Sequence, residues 1–145
     1  MNAKGKMKGV VEWLKTYHEI GGYLKLNATV LEAGESAVNT VQSERTVSQF
    51  IDGTYVRQLD FAIVMVCDWS DGYDKMNAEA LAWGEAYLDW VDSQFGLGNV
   101  PDLGEKATVR GIESLQDGPA LSAVFQEEQL ARYMFQARIT YWEKE

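Results

Sequence analysis

Apolar positions in residues 6–19 recur at helical spacing. Val10, Val11, Trp13, Leu14 and Tyr17 fall at i, i+3, i+4 and i+7, with lysines and glutamate between them. Gly21-Gly22 supplies a left-handed stop, and His18 falls in the last turn, facing the negative end of the helix dipole. The pattern weakens over residues 23–46. Tyr23 to Leu31 reads as a strand. Gly34 to Arg45 is small and polar and reads as a long loop with a short strand near Val38–Val41.

The pattern sharpens at Ser48–Trp69. Residues 47–51 and 54–68 are β-rich runs on either side of Asp52-Gly53. They predict a hairpin with a type I′ turn, whose two central residues both need positive φ. In the second run Leu59, Phe61, Ile63, Met65 and Cys67 share one face, and Ala62, Val64 and Val66 share the other. Its far half is therefore apolar on both sides, as in a central strand covered twice. A helix layer is expected on one side, with a partner subunit as the candidate cover for the other.

Residues 75–95 predict a second helix. Ala80, Gly84, Tyr87, Leu88, Val91 and Phe95 make its apolar stripe, Trp83 and Trp90 flank it, and Glu79, Glu85, Asp89 and Asp92 make its polar side acidic. Asp71 or Asp74 can cap its start and Gly96 its end. So wide a stripe predicts burial against a sheet, with the tryptophans as candidate subunit contacts. Residues 96–106 read as a loop. Residues 107–126 read as a strand, an Asp117-Gly118-Pro119 turn and a strand. Residues 130–142 alternate cleanly: Tyr133, Phe135, Ala137, Ile139 and Tyr141 on one face, Arg132, Met134, Gln136, Arg138 and Thr140 on the other. The order α, loop with β, β-hairpin, α, β, β, β predicts an α+β fold: a mixed or antiparallel twisted sheet with helices packed on one face. No internal repeat, low-complexity tract or linker interrupts it, so residues 1–145 are expected to form one domain.

Composition narrows the function classes. With 46% hydrophobic residues the chain can build a real core. A net charge of −9 repels phosphate backbones, which argues against DNA binding through a basic patch but suits a wall that DNA passes without sticking. The single cysteine, Cys67, permits no intrachain disulfide and reads as a small core hydrophobe. The N-terminus is basic but lacks the apolar stretch of a signal peptide, and no run approaches the length of a membrane span, so the expected place is the cytoplasm or a particle assembled there.

Catalytic signatures are missing. Gly96-Leu97-Gly98 lacks the rest of a phosphate loop, no G-x-S-x-G elbow occurs, and one histidine cannot form a His-based metal triad. Asp68, Asp71 and Asp74 do not make a calcium loop, since Tyr73 stands where the glycine is needed. The acidic residues offer no distinguished pair for acid–base chemistry. The expectation is a non-enzyme with no cofactor and no metal.

Phe50-Ile51-Asp52-Gly53, followed by Val56-Arg57-Gln58-Leu59-Asp60-Phe61 and an apolar strand, resembles the minor capsid protein family of tailed phages of Gram-positive bacteria. That family has an aromatic or valine-type residue before Asp-Gly and a strand closed by phenylalanine. A helix with tryptophan near its end comes next, as in Leu88-Asp89-Trp90-Val91. A loop like Val100-Pro101-Asp102-Leu103 and a final strand of alternating aromatics complete the pattern. The resemblance covers roughly residues 6–142. Such proteins are similar in layout to the tail terminators of long-tailed phages. The resemblance then implies a homo-oligomeric ring, expected to be a hexamer, at the neck of the virion. It would cap the major tail tube protein and meet the head–tail connector, and DNA would pass through its lumen without specific binding. Another head–tail joining or tail tube component would share these features. A small ligand-binding α+β domain is the remaining alternative.

The N-terminal lysines and the 34–46 stretch match no motif of the family, so contact residues are not carried over. The residues themselves suggest candidates. Ser36, Asn39, Gln42, Glu44 and Arg45 lie in the polar stretch, and Trp83, Glu85, Asp89 and Trp90 lie on the second helix. A ring needs two unlike complementary patches, and five tryptophans with seven tyrosines supply ample anchors.

Overall fold

The computed structural model describes residues 3–17, 25–26, 36–41, 46–68, 75–115, 120–125 and 130–144. In chain order these form α1 (Ala3–Leu14), β1 (Lys25–Leu26), β2 (Ser36–Val41), β3 (Thr46–Gln49), β4 (Tyr55–Asp68), α2 (Lys75–Leu97), β5 (Ala107–Ser114), β6 (Ala120–Phe125) and β7 (Leu130–Glu143). The fold is mixed α+β, with seven strands in one sheet.

The two 14-residue strands, β4 and β7, are rich in β-branched and aromatic residues and pair antiparallel along their whole length, from Tyr55 opposite Glu143 to Asp68 opposite Leu130. Two shorter strands flank each of them. β2 and β3 follow one another along the free edge of β4, and β5 and β6 do the same along the free edge of β7. β1 adds a short parallel pairing outside β2.

The short strand expected near Val38–Val41 forms and begins two residues earlier: Ser36–Val41 is a six-residue strand between β1 and β4. Its first residues, Ser36 and Ala37, are small and gave no strand signal of their own. The expected Asp117-Gly118-Pro119 turn lies outside the described residues. The strands on either side of it, β5 and β6, both run antiparallel to β7 and so point the same way, with Phe125 of β6 opposite Leu130 of β7.

A repeat invisible in the residues appears in the topology. Each half runs helix, two short strands that pair with the half's long strand, then that long strand, with β1 an addition to the first half alone, and the long strands meet at the centre. Even the buried helical positions correspond. Met7, Val10, Leu14 and Tyr17 in and just after α1 are matched by Gly84, Tyr87, Val91 and Gln94 in α2. Burial spacing is shared while residue identity is not.

The predicted hairpin forms, with a different turn. Phe50 N–H donates to Thr54 O at 2.8 Å and Gly53 N–H to Phe50 O at 3.0 Å. That is a three-residue loop closed by a glycine bulge, so positive φ is needed at Gly53 (φ 92°) rather than at both Asp52 and Gly53. The Asp52 carboxylate accepts from Thr54 N–H at 2.9 Å, and this bond holds its pKa below the usual carboxylate range.

α2 runs to Leu97, past the predicted Gly96 cap. Gly98 (φ 80°) is the stop: its N–H donates to Phe95 O and Asn99 N–H donates to Gln94 O, the paired bonds of a Schellman ending. This ending draws Gln94 inward, where Asn99 Nδ2 donates to its side-chain oxygen at 2.8 Å. Gln94 is therefore buried and Phe95 exposed, the reverse of the predicted stripe.

Both helices pack on one face of the sheet. Val10, Trp13 and Leu14 of α1 and Tyr87, Leu88 and Val91 of α2 join Phe61, Ile63, Tyr133, Phe135, Ala137, Ile139 and Tyr141 in one core. The alternation read along β7 thus holds at every inward position. On the opposite face Asp60, Ala62, Val64 and Val66 of β4 are also buried, within the single chain. Their burial does not require the partner subunit considered above. Asp60 is held there by a bidentate pair with Arg138, at 2.8 and 3.0 Å.

Candidate interaction surfaces

The charged groups nearest the core serve structure. Lys6, only 2% exposed, donates to Glu143 at 2.5 Å and to Leu103 O at 3.4 Å, over the Tyr141 ring. Arg57 donates to the other Glu143 oxygen at 2.5 Å. One carboxylate at the end of β7 thus holds α1, β4 and the 98–106 loop together. Among the described residues no group of three His, Cys, Asp or Glu is placed to hold a metal ion, and no helix is long and apolar enough to cross a membrane. His18 lies outside the described residues.

The sequence candidates separate. Ser36 and Asn39 belong to β2, where they pair opposite Met65 and Ala62 of β4. Gln42, Glu44 and Arg45 lie outside the described residues. Trp83 and Trp90 are half-buried, and ring faces of both contact the core. Trp90 packs on Trp13 (4.8 Å between centroids) and Tyr17 (5.0 Å), and Trp83 stacks on Tyr87 (5.3 Å). These rings join α1 to α2 and the sheet. Glu85 and Asp89 are exposed on the solvent side of α2. No Lys or Arg occurs between Lys75 and Lys106, so α2 beyond its first residue carries no cation of its own to offset these carboxylates. Asp92 faces elsewhere: its carboxylate accepts from Ser114 N–H at 2.7 Å and Ser114 Oγ at 2.9 Å, covering the end of edge strand β5.

Tyr87 is fully buried, and its hydroxyl has no hydrogen-bond partner among the described residues. Burial pushes its pKa above the ordinary value of 10, with Tyr17 adding to the shift. A folded-state pKa raised in this way contributes stability that is fully present below about pH 10 and is lost as pH rises beyond it. Tyr87→Phe removes the orphan hydroxyl and is expected to stabilise the chain by about 1 kcal/mol. It should also flatten the loss of stability above pH 10. Urea unfolding midpoints at pH 7 and pH 10.5 check both, and a lower midpoint at pH 7 would mean the hydroxyl is satisfied.

Two surfaces were missed by sequence reasoning. The first is the tip of the β3–β4 hairpin. Ile51 is fully exposed, Val47 is 56% exposed and Phe50 43%. Phe50 stands edge-on to Trp142 at 5.1 Å, and Arg110 covers Trp142 at 4.2 Å. The available signal was Phe50-Ile51 itself: two bulky apolar residues entering a tight turn have no sheet face to bury them. Exposed apolar clusters of this kind mark contact sites.

The second is a groove of about 560 Å³ between α1 and the 98–105 loop. Trp13, Val100 and Pro101 give it apolar walls, and Glu12, Asp102 and Glu105 an acidic rim. Asn99 ties the two walls of the groove together. Its carbonyl accepts from Trp13 Nε1 at 2.9 Å, and its amide donates to Thr16 Oγ1 at 3.0 Å as well as to Gln94. Gly9 allows the helix to reach the loop, since a Cβ there would lie 2.0 Å from Asp102 O.

No protein-family model matches the chain, and no curated protein sequence matches it.

Proposed function

We propose that this chain is a non-catalytic structural subunit of a long-tailed phage virion, a tail terminator that forms a ring on the end of the tail tube and meets the head connector. The observation that carries this reading is the exposed apolar hairpin tip, Val47, Phe50 and Ile51 beside Trp142, which stands outside the core formed by both helices and the sheet. Such a tip is a contact surface awaiting a partner. The α+β layout with helices on one face, and the motifs resembling the phage minor capsid family, support the same reading. The acidic outer face of α2, with Glu85 and Asp89, suits a wall facing DNA or a basic neighbour. No cofactor enters this function, and DNA would pass without specific binding.

Negative-stain electron microscopy of the purified protein, alone and with tail tubes, tests the proposal. Closed rings, or caps on one tube end only, are the expected result. Caps at neither end, with incorporation along the tube or binding to heads, would favour another head–tail joining or tail tube component. Monomers that ignore both would overturn the structural reading. Charge reversal at Glu85 and Asp89 is expected to impair capping, and unaltered capping would remove α2 from the contact surface.

A further inference from the structure

We infer that the hairpin tip of one copy seats in the α1/98–105 groove of a second copy of this chain. The inference rests on the ring-subunit reading above and names the two unlike surfaces that such a ring requires.

The tip is built to be inserted. Ile51 stands at its apex, fully exposed, so it does not fill its own chain's groove. Its backbone is fixed by the Phe50–Thr54 bond and by the Asp52 carboxylate on Thr54 N–H, so little conformational freedom is lost on docking. Phe50 braces the turn against Trp142.

The groove complements it in shape and charge. Its volume, about 560 Å³, accepts the apex of a turn, with Trp13, Val100 and Pro101 lining the apolar part. Val100 is 40% exposed, an apolar side chain left facing solvent. On the rim, Glu12 and Glu105 form no ion pair with a described residue. The tip is flanked by cations: Arg110 over Trp142, and Lys144 close enough to Asp52 to act on its carboxylate. Apolar apex meets apolar floor, and basic flank meets acidic rim. Lys8, the one cation among the groove's described lining residues, is available to Asp52. A charged rim of this kind makes association sensitive to salt.

The test uses two exposed-surface variants of the full chain, Ile51→Asp and the rim double variant Glu12→Lys with Glu105→Lys, each checked for wild-type melting. Sedimentation velocity over a concentration series reads assembly. Wild type is expected to assemble, and each variant to associate at least about tenfold more weakly. An equimolar mixture of the two variants should form dimers and stop there, because one intact tip and one intact groove remain between them. Variants that assemble like wild type, or a mixture that stays monomeric, overturn the inference and leave the ring reading standing. Variants that form normal rings but no longer cap tubes also overturn it, by placing the tip on the tube. A wild type that neither self-associates nor caps tubes overturns both.

Discussion

Glu143→Ala is expected to cost about 3–5 kcal/mol, because it leaves Lys6 buried at the foot of α1 without a counter-charge. That is a large share of the stability of a domain this size. The ordering of variants is the sharper expectation. Lys6→Met removes the buried cation while Glu143 keeps Arg57 as a partner, so its loss should be clearly smaller. Glu143→Ala strands two cations at once and should also loosen the 98–106 loop, whose Leu103 carbonyl accepts from Lys6. Urea unfolding of both variants checks this. Equal losses would mean that the Arg57 arm contributes nothing, and an unchanged midpoint for Glu143→Ala would mean that the cluster does not hold α1 to the sheet.

Nothing in the sequence pointed to this cluster. Lys6 reads as one of several lysines on an amphipathic helix, and its partner lies 137 residues away. Periodicity reports which face of an element is buried, not which distant charge waits there. The same limit bears on β2. Only its Val38–Val41 end was legible, because Ser36 and Ala37 carry no apolar pattern, and it is the register against β4 that extends the strand to Ser36. By contrast β7 was legible residue by residue, since one packed face imposes strict alternation. β4 was legible for the opposite reason, its burial on both faces leaving a nearly unbroken apolar run.

The candidate site was less legible than the fold. Trp83 and Trp90 stood out because tryptophan is frequent at interfaces, yet each has ring contacts within the core. Large aromatic rings on a helix flank satisfy a core and an interface equally in one dimension. Phe50 and Ile51 were read as strand residues and turned out to occupy the hairpin tip, because a three-residue loop starts one position earlier than a two-residue turn. A single step of turn geometry therefore decides whether an apolar pair is packed or presented.

The helix-to-sheet contact offers the second large effect, and with it a change of sign. Phe135 is fully buried, touches Trp83 at 5.6 Å and Tyr87 at 6.3 Å between centroids, and lies directly over Gly84. Phe135→Ala is expected to cost about 3–5 kcal/mol through lost burial and the cavity left behind. A Cβ on Gly84 would sit 2.3 Å from the Phe135 ring, which is penned in by its aromatic neighbours and cannot swing away. Gly84→Ala alone is therefore expected to destabilise by about 1–3 kcal/mol, although alanine is the better helix former. Once Phe135→Ala has cleared the space, the clash is gone and propensity decides. In that background Gly84→Ala should stabilise by about 0.5–1 kcal/mol. The two substitutions are thus strongly non-additive, as expected for side chains sharing one volume. Chemical denaturation of the four-member cycle measures the coupling. Additive losses would mean that α2 shifts freely over β7, and the close helix–sheet approach at Gly84 would then not be a fixed part of the fold.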